Sequence, residues 1–261
     1  RIEQITGIRP AFIQIDLSDE KETNILFKKH QDAHAVIHFA AHKAVGESVL
    51  DPLKYYQNNL CALINTLSAQ RENGINKFIF SSSATVYGDP DQLPVTEESE
   101  QKRATSPYGN TKKIGEEILE DLTKSDVNFS AISLRYFNPI GAHASGIIGE
   151  IPSGIPNNLM PYILEVIAGK LDTLKIFGND YNTKDGTGER DYIHVTDLAK
   201  AHVSAFHYAR DKYVNDIFNI GTGEAISVME IINTFNELLE KNIKFSFSNR
   251  RIGDLPKYFS E

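Results

Sequence analysis

Tyr108 and Lys112 stand four residues apart in the run Tyr108-Gly-Asn-Thr-Lys112, and on a helix that spacing puts a phenol and an ammonium on one face. A phenol has an ordinary pKa near 10, so acting as a base near neutrality asks for about 4 kcal/mol of preferential stabilisation of the phenolate. The Lys112 cation supplies part of this, and an oxidised nicotinamide ring would supply more. Upstream, Ser81-Ser82-Ser83 closes a strand-like segment. At the carboxyl end of a parallel strand, the Ser83 hydroxyl could hydrogen-bond the oxygen that loses its proton. A Tyr and Lys pair alone is common on solvated helices. The serine run at the end of a strand favours acid–base chemistry over that bland reading.

Such a site needs a sheet to deliver the serines and a helix to carry the phenol. Strand-length apolar runs are read at 11–15, 35–40, 77–82, 129–136 and 216–220, alternating with helical patterns, as in an α/β domain with a mostly parallel sheet. Asp51 as N-cap, Pro52 at the first position, a stripe of Leu53, Tyr56, Leu60, Leu63 and Leu67, and Gly74 as a stop define one helix. Its crossover makes the strands at 35–40 and 77–82 parallel neighbours. Ser106 and Pro107 open a second helix in the same way, with Ile114, Ile118 and Leu122 expected to face the sheet. Ser227 and Glu230 form a capping box ahead of Ile232, Phe235 and Leu239.

From 139 to 158 the sequence turns to Gly, Pro, Ser and Asn over a stretch too long for a routine connection, which places a domain transition there. Short strands at 174–177 and 244–247 belong to the second domain. The expected fold is a Rossmann-type doubly wound parallel sheet over 1–140 with a smaller mixed α/β substrate domain over 141–261, residues 189–221 returning to the first. The strand, Gly-rich turn and helix that begin such a sheet are missing. The chain is therefore expected to be a fragment truncated at both ends, inactive alone because of an open sheet edge.

Composition narrows the partners. Hydrophobic residues at 41% and charged residues at 24% are those of an ordinary globular protein and disfavour disorder, collagen and coiled coil. No apolar run approaches the roughly 20 residues of a membrane helix, and residues 1–10 carry no signal-peptide pattern, so no membrane partner is expected. A net charge of −8 argues against a broad basic face for nucleic acid. The single cysteine, Cys61, fits a reducing cytoplasm and is read as a small core residue. The eight histidines lack ligand spacing, and no metal is expected.

Longer segments carry a resemblance: Ser81-Ser-Ser-Ala-Thr-Val-Tyr-Gly88, Ser106-Pro-Tyr-Gly109, Leu134-Arg-Tyr-Phe-Asn-Pro139, Ile155-Pro-Asn-Asn-Leu-Met-Pro-Tyr162 and Asp185-Gly-Thr-Gly-Glu-Arg-Asp-Tyr-Ile-His194. From about Asp16 to Tyr258 the chain resembles the extended short-chain dehydrogenase/reductases, and within them the UDP-glucose 4-epimerases. The resemblance implies NAD held by a Rossmann-type domain and a smaller domain closing over the sugar nucleotide. It implies reversible inversion at C4 of UDP-glucose and UDP-galactose through a 4-keto sugar, in galactose metabolism. It also implies a homodimer through the helices that start at Asp51 and Ser106.

By the same resemblance, Ser83, Tyr108 and Lys112 are catalytic and touch the cofactor, Ser83 and Tyr108 also touching substrate. Asp16 and Leu17 lie beside the adenine, Phe39, Ala40, Ala41, His42 and Lys43 along the adenosine and pyrophosphate, and Asn58 and Phe137 further along. The UDP-sugar falls to Asn138, Asn158, Leu159, Lys175, Ile176, Phe177, Arg190, Arg251, Asp254 and Tyr258. Arg190 and Arg251 suit a diphosphate and sit in stretches read as carrying little structure. Asp254 suits ribose hydroxyls, His194 the surroundings of Arg190, and Tyr258 the wall facing the 2- and 3-positions of the hexose. Plainer readings stand beside these: Asp16 as a turn residue, Lys43 as a loop lysine, Arg251 as half of an exposed Arg pair, and Tyr258 as packing for a surface loop.

Sugar-nucleotide dehydratases and decarboxylases share the Tyr, Lys and hydroxyl residues but place an acid or acidic pair just before Val-Tyr-Gly. Here Ala84 and Thr85 stand there, and neither can move a proton at C5 or C6. A non-catalytic NAD-binding module is a second alternative, against which the intact Ser83, Tyr108 and Lys112 argue, and a truncated product with no stable fold is a third.

Overall fold

The computed structural model describes residues 1–152, 156, 158–251 and 253–261. Ile155 and Asn157 of the segment 155–162 lie outside the described residues. In chain order the first half holds Ile2–Thr6 (α1), Glu20–Lys29 (α2), Val36–His38 (β1), Val45–Leu50 (α3), Pro52–Glu72 (α4), Lys77–Ser81 (β2), Pro107–Ser125 (α5), Ser130–Tyr136 (β3) and Asn138–Ile140 (β4). The second half holds Leu159–Ile167 (α6), Leu174–Phe177 (β5), Glu189–His194 (β6), Val195–Arg210 (α7), Asn215–Ile220 (β7), Ala225–Ser227 (β8), Val228–Leu239 (α8), Phe245–Ser248 (β9) and Lys257–Tyr258 (β10).

The main sheet is parallel throughout, in the order β1-β2-β3-β7. Parallel strands covered on both faces read as near-continuous apolar runs, and β2 shows why. Phe78 and Phe80 point to one face and pack with Leu63 and Leu67 of α4 and Leu119 of α5. Ile79 points to the other and packs with Ile132, Leu134, Ala205 and Ala209, the last two from α7. Helices on both faces make the sheet doubly wound. At α5 the approach to the sheet is close enough that a methyl on Gly115 would meet Phe80 Cζ at 2.7 Å.

Sequence punctuation sets the helix starts. Asp51 accepts from Lys54 N at 3.4 Å, Ser106 from Gly109 N at 3.1 Å, and Ser227 and Glu230 complete a reciprocal capping box. A second core gathers Ile163, Leu174, Ile176, Ile231, Ile232 and Ile243 where α6 and α8 cover the parallel pair β5 and β9. Strand β6 pairs in parallel with β4 and β10 and antiparallel with β8. Among the described residues no helix is long and apolar enough to cross a membrane.

Several expectations need correction. Residues 11–15 form no strand; no described strand lies alongside to complete a ladder, and Phe12 stays 86% exposed. The buried stripe of α4 is Tyr55, Asn59, Ala62, Leu63, Thr66 and Leu67, so Leu53 at 76% exposure lies off it. Cys61 falls on that outer side and is exposed, not a core residue. On α5 the buried face is Thr111, Lys112, Gly115, Glu116 and Leu119; Ile118 and Leu122 pack at its margin, and Ile114 is only partly buried.

Candidate active site

The carboxyl end of β2 delivers the serine run, and α5 lies against it. Ser83 caps a short 3-10 turn over Ala84–Tyr87, where its Oγ accepts from Thr85 Oγ1 at 3.0 Å and Thr85 N at 3.3 Å. The Ser83 hydroxyl lies against the phenol of Tyr108, whose ionised form it favours. Lys112 is buried, with Nζ donating to Ser81 O at 2.6 Å and lying 5.9 Å from the centre of the Tyr108 ring. Tyr136 of β3 completes the wall through a hydrogen bond between its hydroxyl and Ser81 Oγ.

Burial governs the protonation of this group. It pushes the Tyr108 phenol up to about 12, with Tyr136 adding to the rise and the Ser83 hydrogen bond opposing it. Burial thus outweighs the pull expected of the Lys112 cation on the phenol. Burial also lowers Lys112 itself to about 8, against the pull of Glu116, and its ammonium is turned onto the Ser81 carbonyl. Phenolate formation at neutral pH therefore calls for a further positive charge beside the ring.

Asn59, to which the sequence alone assigned no role, organises the loop on the other side. Its amide accepts from His42 N at 2.8 Å and donates to His42 O at 3.1 Å and Thr111 Oγ1 at 3.1 Å. Thr111 in turn donates to Tyr108 O at 2.7 Å. A buried asparagine thus ties the loop 39–43 to the turn that carries the phenol, and the signal was an amide on the apolar stripe of α4. Phe39 is exposed and packs its ring against His202, Ala40 is exposed and Ala41 and His42 partly so. Lys43 is exposed, 4.0 Å from Glu150, and Asn158, also exposed, hydrogen-bonds Glu150 at 3.2 Å. Lys43 and Asn158 line one cavity of about 420 Å³ with Pro139 and Val195. Asn58 and His42 line another with Ser18 and Cys61. Asp16 accepts from Ser18 N and Oγ, bonds that hold its carboxyl below the usual value, and Leu17 O accepts from Thr23 and Asn65.

A basic cluster forms at the other end. Arg190 Nη2 meets Asp254 Oδ1 at 2.5 Å, Arg251 Nη2 meets Asp254 Oδ2 at 3.2 Å, and the Arg251 guanidinium lies 5.0 Å from the centre of the Phe177 ring. One carboxylate thus gathers two guanidinium groups. Arg190 sits in strand β6 rather than in a stretch of little structure. Lys175 and Phe177 are exposed on β5, whereas Ile176 is buried in the second core and offers only its backbone. Leu159 is partly buried on that core, and Asn138 is exposed.

Tyr258 links the two ends. It is buried, pairs opposite Arg190 in the β10–β6 ladder, donates to Ala84 O at 2.6 Å and packs 5.4 Å from the ring of Phe137. This excludes the surface-loop reading of Tyr258. His194 is exposed, caps α7 through Thr196 N at 3.2 Å and adjoins Gly141, so no bond ties it to Arg190.

The donor set suits a nicotinamide nucleotide. Lys112 uses one N–H on Ser81 O, which leaves two for vicinal ribose hydroxyls beside the Tyr108 phenol at the carboxyl end of the strands, where open α/β sheets bind ligands.

A doubly wound parallel sheet with a Tyr and Lys helix against a strand-end serine defines the class of nucleotide-dependent α/β enzymes. Residues 1–221 match the model of the NAD dependent epimerase/dehydratase family, and the chain belongs to that family. It is 49% identical to the UDP-glucose 4-epimerase of Bacillus subtilis (strain 168) over all of this chain and 76% of that protein. Against the UDP-glucose 4-epimerase of Drosophila melanogaster the identity is 46%, over 100% of this chain and 75% of that protein. The crystal structure of UDP-glucose 4-epimerase from Bifidobacterium longum in complex with NAD+ and UDP superposes with a TM-score of 0.95 at 44% identity, covering 100% of this chain and 77% of that one.

Proposed function

We propose that the protein interconverts UDP-glucose and UDP-galactose by inversion at C4, using NAD. The observation that carries this reading is the convergence of Ser83, Tyr108 and Lys112 at the end of β2. NAD, when bound, supplies a reversible hydride acceptor and a positive ring charge. Tyr108 then takes the 4-hydroxyl proton, the positive charge offsetting the burial that holds the phenol high. Ser83 donates a hydrogen bond to the same oxygen as it becomes a carbonyl. The C4 hydrogen leaves as hydride and is returned to the opposite face of the 4-keto sugar, which turns over while its diphosphate stays with Arg190 and Arg251, and Tyr108 gives its proton back to the 4-oxygen.

In this reading Lys112, Asp16, Leu17, Asn58, Phe137 and the loop 39–43 hold the cofactor. Asn138, Asn158, Leu159, Lys175, Phe177, Asp254 and Tyr258 hold the sugar nucleotide, joined by the backbone of Ile176. Residues 1–140 act as the cofactor domain and 141–261 mainly as the substrate domain, with 189–221 joined to the first. Ala84 and Thr85 favour epimerisation over dehydration or decarboxylation, as neither is an acid or base. A homodimer through α4 and α5 is supported by Leu53 and Ile64, exposed on one outer face of α4. The reaction belongs to galactose metabolism and the cytoplasm. Full-length protein should copurify with NAD, seen by ultraviolet absorbance and mass, and convert UDP-galactose to UDP-glucose without added cofactor. Bound NAD with no conversion would favour a non-catalytic module.

A further inference from the structure

The three serines at the end of β2 each reach a different turn of α5. Ser81 O accepts from Lys112 Nζ at 2.6 Å, Ser82 Oγ donates to Glu116 Oε1 at 2.5 Å, and Ser83 faces the phenol of Tyr108. Tyr108, Lys112 and Glu116 stand at i, i+4 and i+8 and share one stripe of the helix. Glu116 is itself clamped. Arg135 of β3, 1% exposed, gives Nη2 to Oε2 at 2.6 Å and Nε to Oε1 at 2.9 Å. Arg135 Nη1 donates to Tyr87 OH at 2.8 Å, and Tyr87 OH to Asn219 Oδ1 at 2.7 Å. The carboxylate is therefore fixed by Arg135 of β3, which is itself held through Tyr87 of the turn after Ser83 and Asn219 of β7. A buried ion pair is a weak device for stability alone, since apolar residues of equal volume often serve as well. This one contacts the serine run directly.

We propose that Glu116 is a positioning residue for the Tyr108 and Lys112 site: through Ser82 it sets Ser83 against the phenol, and through its charge it keeps Lys112 an ammonium. The inference rests on the acid–base reading of Tyr108 and Lys112. The groups that face Lys112 are Tyr108 and Glu116 on its own helix and His38 on β1, with Arg135 and Tyr136 of β3 behind Glu116 and Tyr108. Removing the Glu116 charge makes the Lys112 ammonium easier to deprotonate, whereas a purely structural role would leave that titration in place.

The test uses full-length protein. Lys112 is titrated by NMR of lysine labelled with carbon-13 at Cε, its signal assigned by its loss in Lys112→Arg. Glu116→Gln should move the Lys112 midpoint to lower pH by about one unit, and an unchanged midpoint would overturn the proposal. Ser82→Ala leaves the Glu116 and Arg135 pair intact and keeps the proposal open to refutation should Glu116→Gln not fold. It should lower kcat about tenfold at unchanged KM and nearly unchanged Tm, whereas kcat within about twofold of wild type would overturn the proposal. Wild-type protein that binds NAD but turns over no UDP-galactose would refute the reaction itself, and the Lys112 titration would still decide the role of Glu116.

Discussion

Replacing Lys112 by Met should stabilise the protein and silence it. Burial holds the ammonium down to about 8 from its ordinary value of 10.5, a gap worth roughly 3 kcal/mol. Below pH 8 both the folded and the unfolded chain carry this proton, and the folded state bears the whole penalty. Between about 8 and 10.5 the folded state releases its proton first, so stability rises with pH through that window. Met fills a similar volume without charge and removes the penalty. The lost hydrogen bond to Ser81 O, 2.6 Å long in the native protein, takes back about 1 to 2 kcal/mol. The net gain at pH 7 is about 1 to 2 kcal/mol, or roughly 2 to 8 °C in Tm for a chain of this size. Turnover should fall about 10²- to 10⁴-fold. Scanning calorimetry at pH 7 and across the alkaline window, paired with a turnover assay, reads both effects. A variant that melts below wild type at pH 7, or that keeps the wild-type rise in Tm with pH, would refute the reasoning.

Tyr108→Phe removes the base and keeps the ring, so turnover should fall about 10²- to 10⁴-fold while NAD stays bound; more than half of the wild-type rate would exclude Tyr108 as the base. Tyr258→Ser opens the wall beside Ala84 and should raise kcat/KM for the N-acetylated UDP-hexoses by roughly 10- to 200-fold, with little gain for UDP-glucose and UDP-galactose. Unchanged selectivity would show that another wall sets sugar size. His38 is buried between Phe78 and Phe80, and burial first, with the Lys112 ammonium second, draws it from 6.5 to about 4. The unfolded chain takes up this proton first as pH falls, so about 3 kcal/mol of stability should be lost between pH 6.5 and 4. His38→Leu should flatten that slope in urea titrations.

Signals carried by neighbours in sequence were legible without coordinates. Asp51 with Pro52, Ser106 with Pro107, and Ser227 with Glu230 fixed three helix starts because caps act over three or four residues. The facing of a helix was harder to read. Leu53 and Cys61 look equally apolar on paper, and only the seat of α4 against the loop at His42, α3 and α5 decides that Tyr55 and Asn59 are covered instead. Residues 11–15 have strand composition, yet a strand exists only where a partner supplies its hydrogen bonds. At the candidate site, the pairing of Tyr108 with Lys112 followed from helix spacing, but the protonation of the phenol did not. Burial by β2 and β3 outweighs a cation whose ammonium is turned onto Ser81. The Glu116 and Arg135 pair was invisible for a related reason: a helix and a strand supply one partner each, and only the sheet brings them together.

Isotopes separate the route of the proton from that of the carbon-bound hydrogen. If Tyr108 handles only the 4-hydroxyl proton while the hydrogen on C4 never mixes with solvent, full-length protein turning over UDP-galactose in D₂O should yield UDP-glucose free of deuterium at C4. No NADH should accumulate at any stage. Deuterium at C4, detected by mass spectrometry of the product, would instead mean that a carbanion forms there, and the proposed chemistry of Ser83, Tyr108 and Lys112 would be wrong.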